Sequence, residues 1–442
     1  MKAVERPASL MRAAAGTYAA NAAVALLSLV NVLVIARTLG PSGRGEVAFL
    51  IAVSMLSGHL ISLSLQEANA NIAASDPHTR AGLATNSVLF AFGLGALAAA
   101  AVAVAAHVLP ALGGPVARTL LLFALATVPV SILKQYLTLL VQADYAFGIA
   151  NASWVAGPLT TAVVNGLLAV LGQLSVESAF AAWAAGQLFG VVLMCGWIAV
   201  HAGFGRPDLA LGRRAVAFGA KAHVGRLMEV GNYRGDQWML GAMVGPRELG
   251  LYSIAVAWAE LLFYLPGVLV LVQRPDLVRA TAADAVSRAL RVCRVAFLLS
   301  GAAAVVMFAI APLLCAGVFG DRFRGSIDDL RVLSLGAFGI VAFELLRNAL
   351  TAQRKPMLGS AAVAVAFVLT VALDLLLIPR YGGLGAAIAT ASAYTCGGVA
   401  AGLIFARAMH ARLADMTPRL DDLQWLRRKA LLLVPQPRRE AR

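Results

Sequence analysis

Charged side chains are scarce in this chain of 442 residues: they make up 13% of it, against 60% apolar residues. Its mean hydropathy is +0.81. Because soluble domains carry about 25% charged residues, this composition excludes a soluble protein and indicates an integral membrane protein. The hydrophilic stretches between the apolar runs are short, which also excludes a soluble catalytic domain.

Cysteine is rare as well, and the four cysteines lie inside apolar runs without CxxC or Cys/His spacing. This pattern excludes a disulfide scaffold and a zinc site. The sequence has no GxxxxGK[ST] or HExxH pattern, and no GxGxxG after a strand, so a nucleotide or zinc-protease site is unsupported. We expect a protein that is not an enzyme, with no catalytic residue, no cofactor and no metal.

Apolar runs of about 20 residues, the length that crosses a bilayer as a helix, recur along the whole chain. The sequence predicts an all-α polytopic membrane protein with about 12 transmembrane helices. The predicted spans are 17–36, 46–66, 84–109, 118–142, 153–171, 177–202, 223–244, 249–273, 292–316, 328–352, 358–379 and 384–408.

The positive charges fall mostly on one side of these spans. Lys and Arg exceed Asp and Glu by 14. If both termini are cytoplasmic, 24 cations lie inside, eight lie outside and four fall within spans. The positive-inside rule therefore favours a multi-pass protein with both termini in the cytoplasm. Contact with membrane lipids accounts for the charge, and no nucleic acid partner is needed.

An internal duplication is indicated by two pairs of similar segments in the same order. LGPSGRG at 39–45 resembles VGPRELG at 244–250, and QADYAFG at 142–148 resembles QRKPMLG at 353–359. Each half holds six predicted spans, so both halves enter the membrane from the same side. The expected architecture is two parallel six-helix bundles around a central cavity, at 1–210 and 211–410. Residues 411–442 form a basic tail, with an in-plane amphipathic helix predicted at 417–434.

Polar side chains on the predicted spans supply the candidate site, because charges that face lipid are costly. The seventh span presents one polar face at helical spacing, and the 205-residue repeat offset maps Arg226 onto Asn21. The candidate substrate-binding residues are Arg226, Arg234, Lys134, Arg347, Tyr233, Gln237 and Asn21. Glu260, Asp236 and Glu344 are candidate ion-coupling residues. Asp374, near Pro379, is predicted to lie at the membrane interface.

A simpler interpretation stays open for several of these residues. Arg226 with Glu229, and Glu344 with Arg347, stand three positions apart and could be ion pairs that let a polar helix insert. His59 is predicted to be a buried structural side chain, because a lone histidine is a weak signal.

Two segments resemble the polysaccharide-transport or oligosaccharide flippase (Wzx-like) family of the multidrug/oligosaccharidyl-lipid/polysaccharide exporter superfamily. They are ARTLGP at 36–41 with GRGE at 43–46, and IPRYGGLGAAIAT at 378–390. The resemblance implies a bacterial inner-membrane flippase that moves an undecaprenyl-pyrophosphate-linked oligosaccharide by alternating access. It also implies a polysaccharide polymerase and glycosyltransferases as partners.

Two other functions compete with the flippase. A multidrug or cation antiporter of the same superfamily would use Glu260, Asp236 or Asp374 for coupling. An envelope polymerase or ligase would need a large extracytoplasmic loop, and the sequence has none. Since Lys134, Arg226, Arg234 and Arg347 are matched by four acids, the composition of the spans alone does not select an anionic cargo.

Overall fold

A computed structural model describes residues 7–108, 116–279, 282–419 and 421–422 of the chain, and within these ranges the regular structure is helical. The α-helices are α1 (Pro7–Ile61), α2 (Leu65–Ser75), α3 (Arg80–Val108), α4 (Arg118–Ala126), α5 (Val128–Ala143), α6 (Phe147–Val170), α7 (Val176–His201), α8 (Leu209–Met243), α9 (Pro246–Arg279), α10 (Ala282–Pro312), α11 (Ser326–Leu335), α12 (Ala337–Ala352) and α13 (Pro356–Met409). Short 3₁₀ turns occupy Pro77–Thr79, Asp321–Phe323 and Leu413–Met416, and a π turn occupies Leu313–Gly317.

Two of these helices are each two helices joined at a kink. In α1 the kink is at Gly40, with φ 70° and ψ −173°, and in α13 it is at Gly382, with φ 57° and ψ −132°. Glycine adopts positive φ without the steric cost that a Cβ would add. Because the bends fall where the sequence predicts turns between spans, α1 and α13 each cover two predicted spans.

The described helices confirm the all-α membrane fold. Seven helices in the described ranges are long and apolar enough to cross a membrane, and two of them, of 46 and 53 residues, are the kinked α1 and α13. A helix of 20 residues already spans about 30 Å, so each kinked helix has the length of two crossings. Helical segments overlap all twelve predicted spans in the described ranges, which is consistent with twelve crossings.

Large apolar side chains remain exposed along the spans, as expected where lipid replaces water. On α3, Leu97 is 58% exposed and Val104 63%, while on α6 Val163 is 59% exposed. Phe180 is fully buried and packs edge-to-face against the partly exposed Phe123, with the ring centroids 5.2 Å apart.

The described residues divide into two compact units. The larger unit takes its residues from Met1–Ile254, Cys315–Ser326 and Asp374–Ala386, and the smaller unit from Ala255–Leu314, Ile327–Leu373 and Ala387–Arg442. The two six-helix bundles at 1–210 and 211–410 stay a prediction, as does the in-plane helix at 417–434, most of which lies outside the described residues.

Inside the larger unit, the two copies of the repeated Gly-Pro segment contact each other reciprocally. A Cβ on Gly45 would lie 1.7 Å from the carbonyl oxygen of Pro246, and a Cβ on Gly250 would lie 1.8 Å from that of Pro41. The 205-residue repeat offset maps Gly45 onto Gly250 and Pro41 onto Pro246. The two contacts are therefore equivalent by the duplication, and only glycine fits at either position.

Candidate functional site

A cavity of about 200 Å³ lies in the larger unit, between the second half of α1 and the middle of α8. Helical spacing explains why α8 contributes most of its lining, since positions three, four and seven residues apart share one face. The lining residues are Met55, Leu56, His59, Arg226, Glu229, Val230, Tyr233 and Arg234. Three predicted substrate-binding residues, Arg226, Tyr233 and Arg234, are thus brought together.

Three charged side chains, Arg226, Glu229 and Arg234, are among the described residues that line the cavity. Arg226 Nη1 donates to Glu229 Oε2 at 3.0 Å, and these side chains are 39% and 30% exposed. This is the i, i+3 pair that the sequence left open. Arg234 adds a second guanidinium to the same lining.

Asp236 stands beside these arginines in the sequence but is buried elsewhere, with 4% of its surface exposed. Its Oδ2 accepts a hydrogen bond of 2.5 Å from the Tyr252 hydroxyl, and its Oδ1 accepts one of 2.7 Å from the backbone N–H of Gln237. Gln237 is also buried and is not among the cavity lining. Asp236, which stands two positions after Arg234 in the sequence, therefore does not line the cavity.

His59 lines the cavity from the second half of α1, together with residues of α8. It is 8% exposed, and its Nδ1 has no hydrogen-bond partner among the described residues. The contact joins residues far apart in the chain, so no local pattern could reveal it.

The other predicted substrate-binding residues do not line this cavity. Lys134 on α5 donates from Nζ to Gln187 Oε1 at 2.8 Å, and its side chain lies beside Gly157 and Gly190. Asn21 is half-buried on α1. Arg347 belongs to the smaller unit, where its Nη2 lies 2.9 Å from Glu344 Oε2.

The predicted ion-coupling residues are likewise divided between the units. Glu344 is paired with Arg347, and Glu260 is half-buried on α9; both belong to the smaller unit. Asp236 belongs to the larger unit, where a second buried carboxyl, that of Asp374, lies close enough for the two to interact electrostatically.

Asp374 is 1% exposed, so its side chain on α13 is buried among other residues of the protein. Its predicted position at the membrane interface stays a prediction. Neither carboxylate oxygen of Asp374 has a hydrogen-bond partner in the part of the chain that the structure describes. Within those residues no group of three or more His, Cys, Asp and Glu side chains is arranged to hold a metal ion.

The apolar helices define a multi-pass membrane protein, and a family model gives the class. The model described as "Polysaccharide biosynthesis protein" matches residues 10–272. The chain belongs to this polysaccharide biosynthesis protein family. A search of the curated proteins finds none with significant similarity to the sequence.

Solved structures of transporters share the fold. The lipid II flippase MurJ in an inward closed conformation is 12% identical, with a TM-score of 0.70 over 95% of this chain and 93% of that one. An inward-facing multidrug resistance MATE transporter of the MOP superfamily is 14% identical, with a TM-score of 0.69 over 88% of this chain and 94% of that one. A point mutant of the Vibrio cholerae MATE transporter VcmN is 14% identical, with a TM-score of 0.57 over 91% of this chain and 98% of that one.

Proposed function

We propose that the protein is a flippase that moves an undecaprenyl-pyrophosphate-linked oligosaccharide across the bacterial inner membrane by alternating access. Membership of a polysaccharide biosynthesis family supports a glycan cargo. The shared fold with a lipid II flippase supports a lipid-linked one. Both termini would lie in the cytoplasm, and a polysaccharide polymerase and glycosyltransferases would act on the same cargo.

The observation that carries the proposal is the presence of two arginine side chains among the described lining residues of one cavity. Arg226 and Arg234 share this lining with one acid, Glu229, because Asp236 is held by Tyr252 and the Gln237 backbone. A guanidinium meets phosphate oxygens with two parallel charge-assisted hydrogen bonds, and these are stronger where water is excluded. The lining therefore suits the pyrophosphate of the cargo.

The size of the cavity indicates which part of the cargo it would bind. A volume of about 200 Å³ is below the roughly 300–1,000 Å³ of ordinary ligand pockets, so we assign this cavity to the diphosphate and not to the sugar chain. Arg226, Arg234 and Tyr233 would thus bind the linkage. Lys134, Arg347, Gln237 and Asn21 remain candidates for contacts with the rest of the cargo.

Ion coupling is proposed at Asp236 and Asp374. A carboxylate buried without a hydrogen bond is costly, and Asp374 is in that situation. Uptake of a proton or a cation at this pair would lower that cost and drive the conformational cycle. Glu260 and Glu344 are the alternative coupling residues.

Substitution of Arg234 tests the function. We expect Arg234→Ala to insert and accumulate normally but to lower transport at least tenfold, which corresponds to loss of one charge-assisted hydrogen bond. Arg234→Lys keeps the charge without the planar fork and should recover only part of the activity. The measurement is surface polysaccharide restored to a flippase-deficient strain, normalised to membrane protein.

Arg213→Ala is the matched control, because Arg213 is exposed on the same helix and is not in the cavity lining. It should transport normally. Normal polysaccharide from abundant Arg234→Ala would disprove the role of Arg234. If the wild type fails to restore polysaccharide but lowers susceptibility to cationic drugs, the antiporter function is the correct one.

A further inference from the structure

The segment that follows α13 is fixed to α10 by a buried ion pair. Arg294 Nε donates to Asp422 Oδ2 at 2.7 Å, and its Nη2 donates to Asp422 Oδ1 at 3.1 Å. The side chains are 11% and 3% exposed. A bidentate pair of this kind fixes the relative orientation of its two partners as well as their distance.

Two backbone contacts extend the attachment along the segment. Arg294 Nη1 donates to the carbonyl oxygen of Asp415 at 2.9 Å, and the backbone N–H of Arg419 donates to Asp422 Oδ2 at 2.9 Å. The described residues of this segment, 415–419 and 421–422, are therefore held across α10 in a defined position.

Beside this crossing lies an open apolar groove of about 550 Å³ within the smaller unit. Helices α10 and α12 form the wall of this groove. Residues 416–418, in the segment after α13, cover one side of it. Its lining residues are Phe297, Leu298, Gly301, Ala302, Phe338, Met416, Thr417 and Pro418. Phe338 is 42% exposed, so the apolar surface is accessible to a ligand.

An exposed arginine lies two helical turns before the groove residue Leu298 on α10. Arg291 is exposed and precedes Arg294 by three positions and Leu298 by seven, which puts it on the groove side of α10. Arg291 lies within electrostatic reach of Asp422, but both oxygens of that carboxylate are bonded to Arg294. No ion pair joins Arg291 to an acid in the described ranges. Arg288 is also exposed, but it stands ten positions before Leu298, which places it one turn farther from the groove than Arg291 and about 80° around the helix from Leu298.

We propose that Arg291 and this groove form a binding site for one anionic phospholipid. The guanidinium binds the lipid phosphate, and an acyl chain lies against Phe297, Leu298 and Phe338. An apolar groove preceded by an exposed arginine on the same membrane-spanning helix is complementary to an amphiphile with an anionic head. Residues 423–442 contain six Arg and Lys against one Glu, so that part of the chain lacks the charge complementary to Arg291.

Lipid retention by the purified full-length protein tests the site. After exchange into detergent with equal phosphatidylglycerol and phosphatidylcholine, native mass spectrometry should show preferential retention of phosphatidylglycerol. Arg291→Gln should lower that retention about fivefold, the effect of one cation at an anionic lipid surface. Arg288→Gln is the matched control and should change it less than twofold. Ala302→Phe, which fills the groove, should lower retention of both lipids.

Three results would overturn the proposal. The first is equal retention of the two lipids by the wild type, and the second is equal loss in Arg291→Gln and Arg288→Gln. The third comes from a photo-crosslinking amino acid at position 302, for which we expect capture of lipid. Capture of residues 423–442 or of a second copy of the chain would instead show that a protein segment occupies the groove.

Discussion

Tyr252 donates a hydrogen bond of 2.5 Å to the carboxylate of Asp236. This bond distinguishes Asp236 from the neighbouring buried carboxyl group of Asp374. Asp236 also accepts from the Gln237 backbone, so its negative charge has two donors. Asp374 has none among the described residues. Asp374 is therefore the member of the pair that must take up a proton or a cation to remain buried.

The first prediction follows from this difference. Asp374→Asn should keep normal abundance, because a neutral amide costs less to bury than an unpartnered carboxylate. Its transport should no longer respond to an imposed proton or sodium gradient in proteoliposomes that hold a lipid-linked oligosaccharide. Asp328→Asn, at an exposed site in the first turn of α11, is the control and should respond normally. A wild-type gradient response in Asp374→Asn would exclude coupling at this carboxyl.

The second prediction concerns the reciprocal glycine contacts. Gly45→Ala and Gly250→Ala should each lower thermal stability by about 3 kcal/mol or more, above the usual cost of overpacking. The reason is that a Cβ would lie 1.7 or 1.8 Å from a backbone oxygen, which no side-chain rotation relieves. Thermal unfolding of the purified protein and its membrane abundance are the measurements.

Gly166→Ala is the control for these substitutions. Gly166 lies inside α6, and no neighbouring atom comes within 4 Å of the place that a Cβ would occupy there. Alanine should therefore stabilise that helix by up to about 1 kcal/mol. Normal stability of Gly45→Ala would contradict the close approach of the two segments.

The third prediction is a pH dependence of the segment after α13. Burial disfavours the charged form of Asp422, but the hydrogen bonds from Arg294 and from the Arg419 backbone outweigh it and lower the pKa of this carboxyl below its ordinary value. A lowered folded-state pKa contributes stability above the unfolded-state pKa, about 3.9, and that contribution is lost as pH falls through the folded value.

Hydrogen exchange of amides 413–419 should therefore be slow at neutral pH and accelerate below about pH 4 relative to the intrinsic rate. Asp422→Asn should accelerate it already at pH 7, because it leaves Arg294 buried without its counter-ion, a loss of about 3 kcal/mol or more. The exposed pair of Arg324 and Asp321 offers a control, since Asp321→Asn should leave these amides unchanged. Slow exchange in Asp422→Asn at pH 7 would show that the ion pair does not hold the segment.

The helices could be predicted from the sequence because lipid-facing and buried positions are both apolar, so that composition alone marks the spans. The polar face with Arg226, Tyr233 and Arg234 could also be predicted, since all three lie on one helix at helical spacing. The contacts of His59 and Asp374 could not. Each joins helices that are distant in the chain, and helical periodicity carries no information about which helices pack together.

The charge of the cavity illustrates the same limit. The four cations on the spans, Lys134, Arg226, Arg234 and Arg347, are opposed by Glu229, Asp236, Glu260 and Glu344, and this balance indicates neither an anionic nor a cationic ligand. The side chains separate these charges: Asp236 points to Tyr252, and Glu344 pairs with Arg347 in the smaller unit. Only the three-dimensional arrangement places two arginines and one glutamate around the cavity.

The contacts of Gly45 with Pro246 and of Gly250 with Pro41 have the form of a two-fold symmetric interface, in which one patch meets its own equivalent. In an ancestor that carried only one copy of the repeat, the same surfaces would have joined two separate chains. The present protein would then descend from a homodimer whose subunits became fused. Its two halves, produced from separate genes, should be stable in the membrane only when both are made in the same cell.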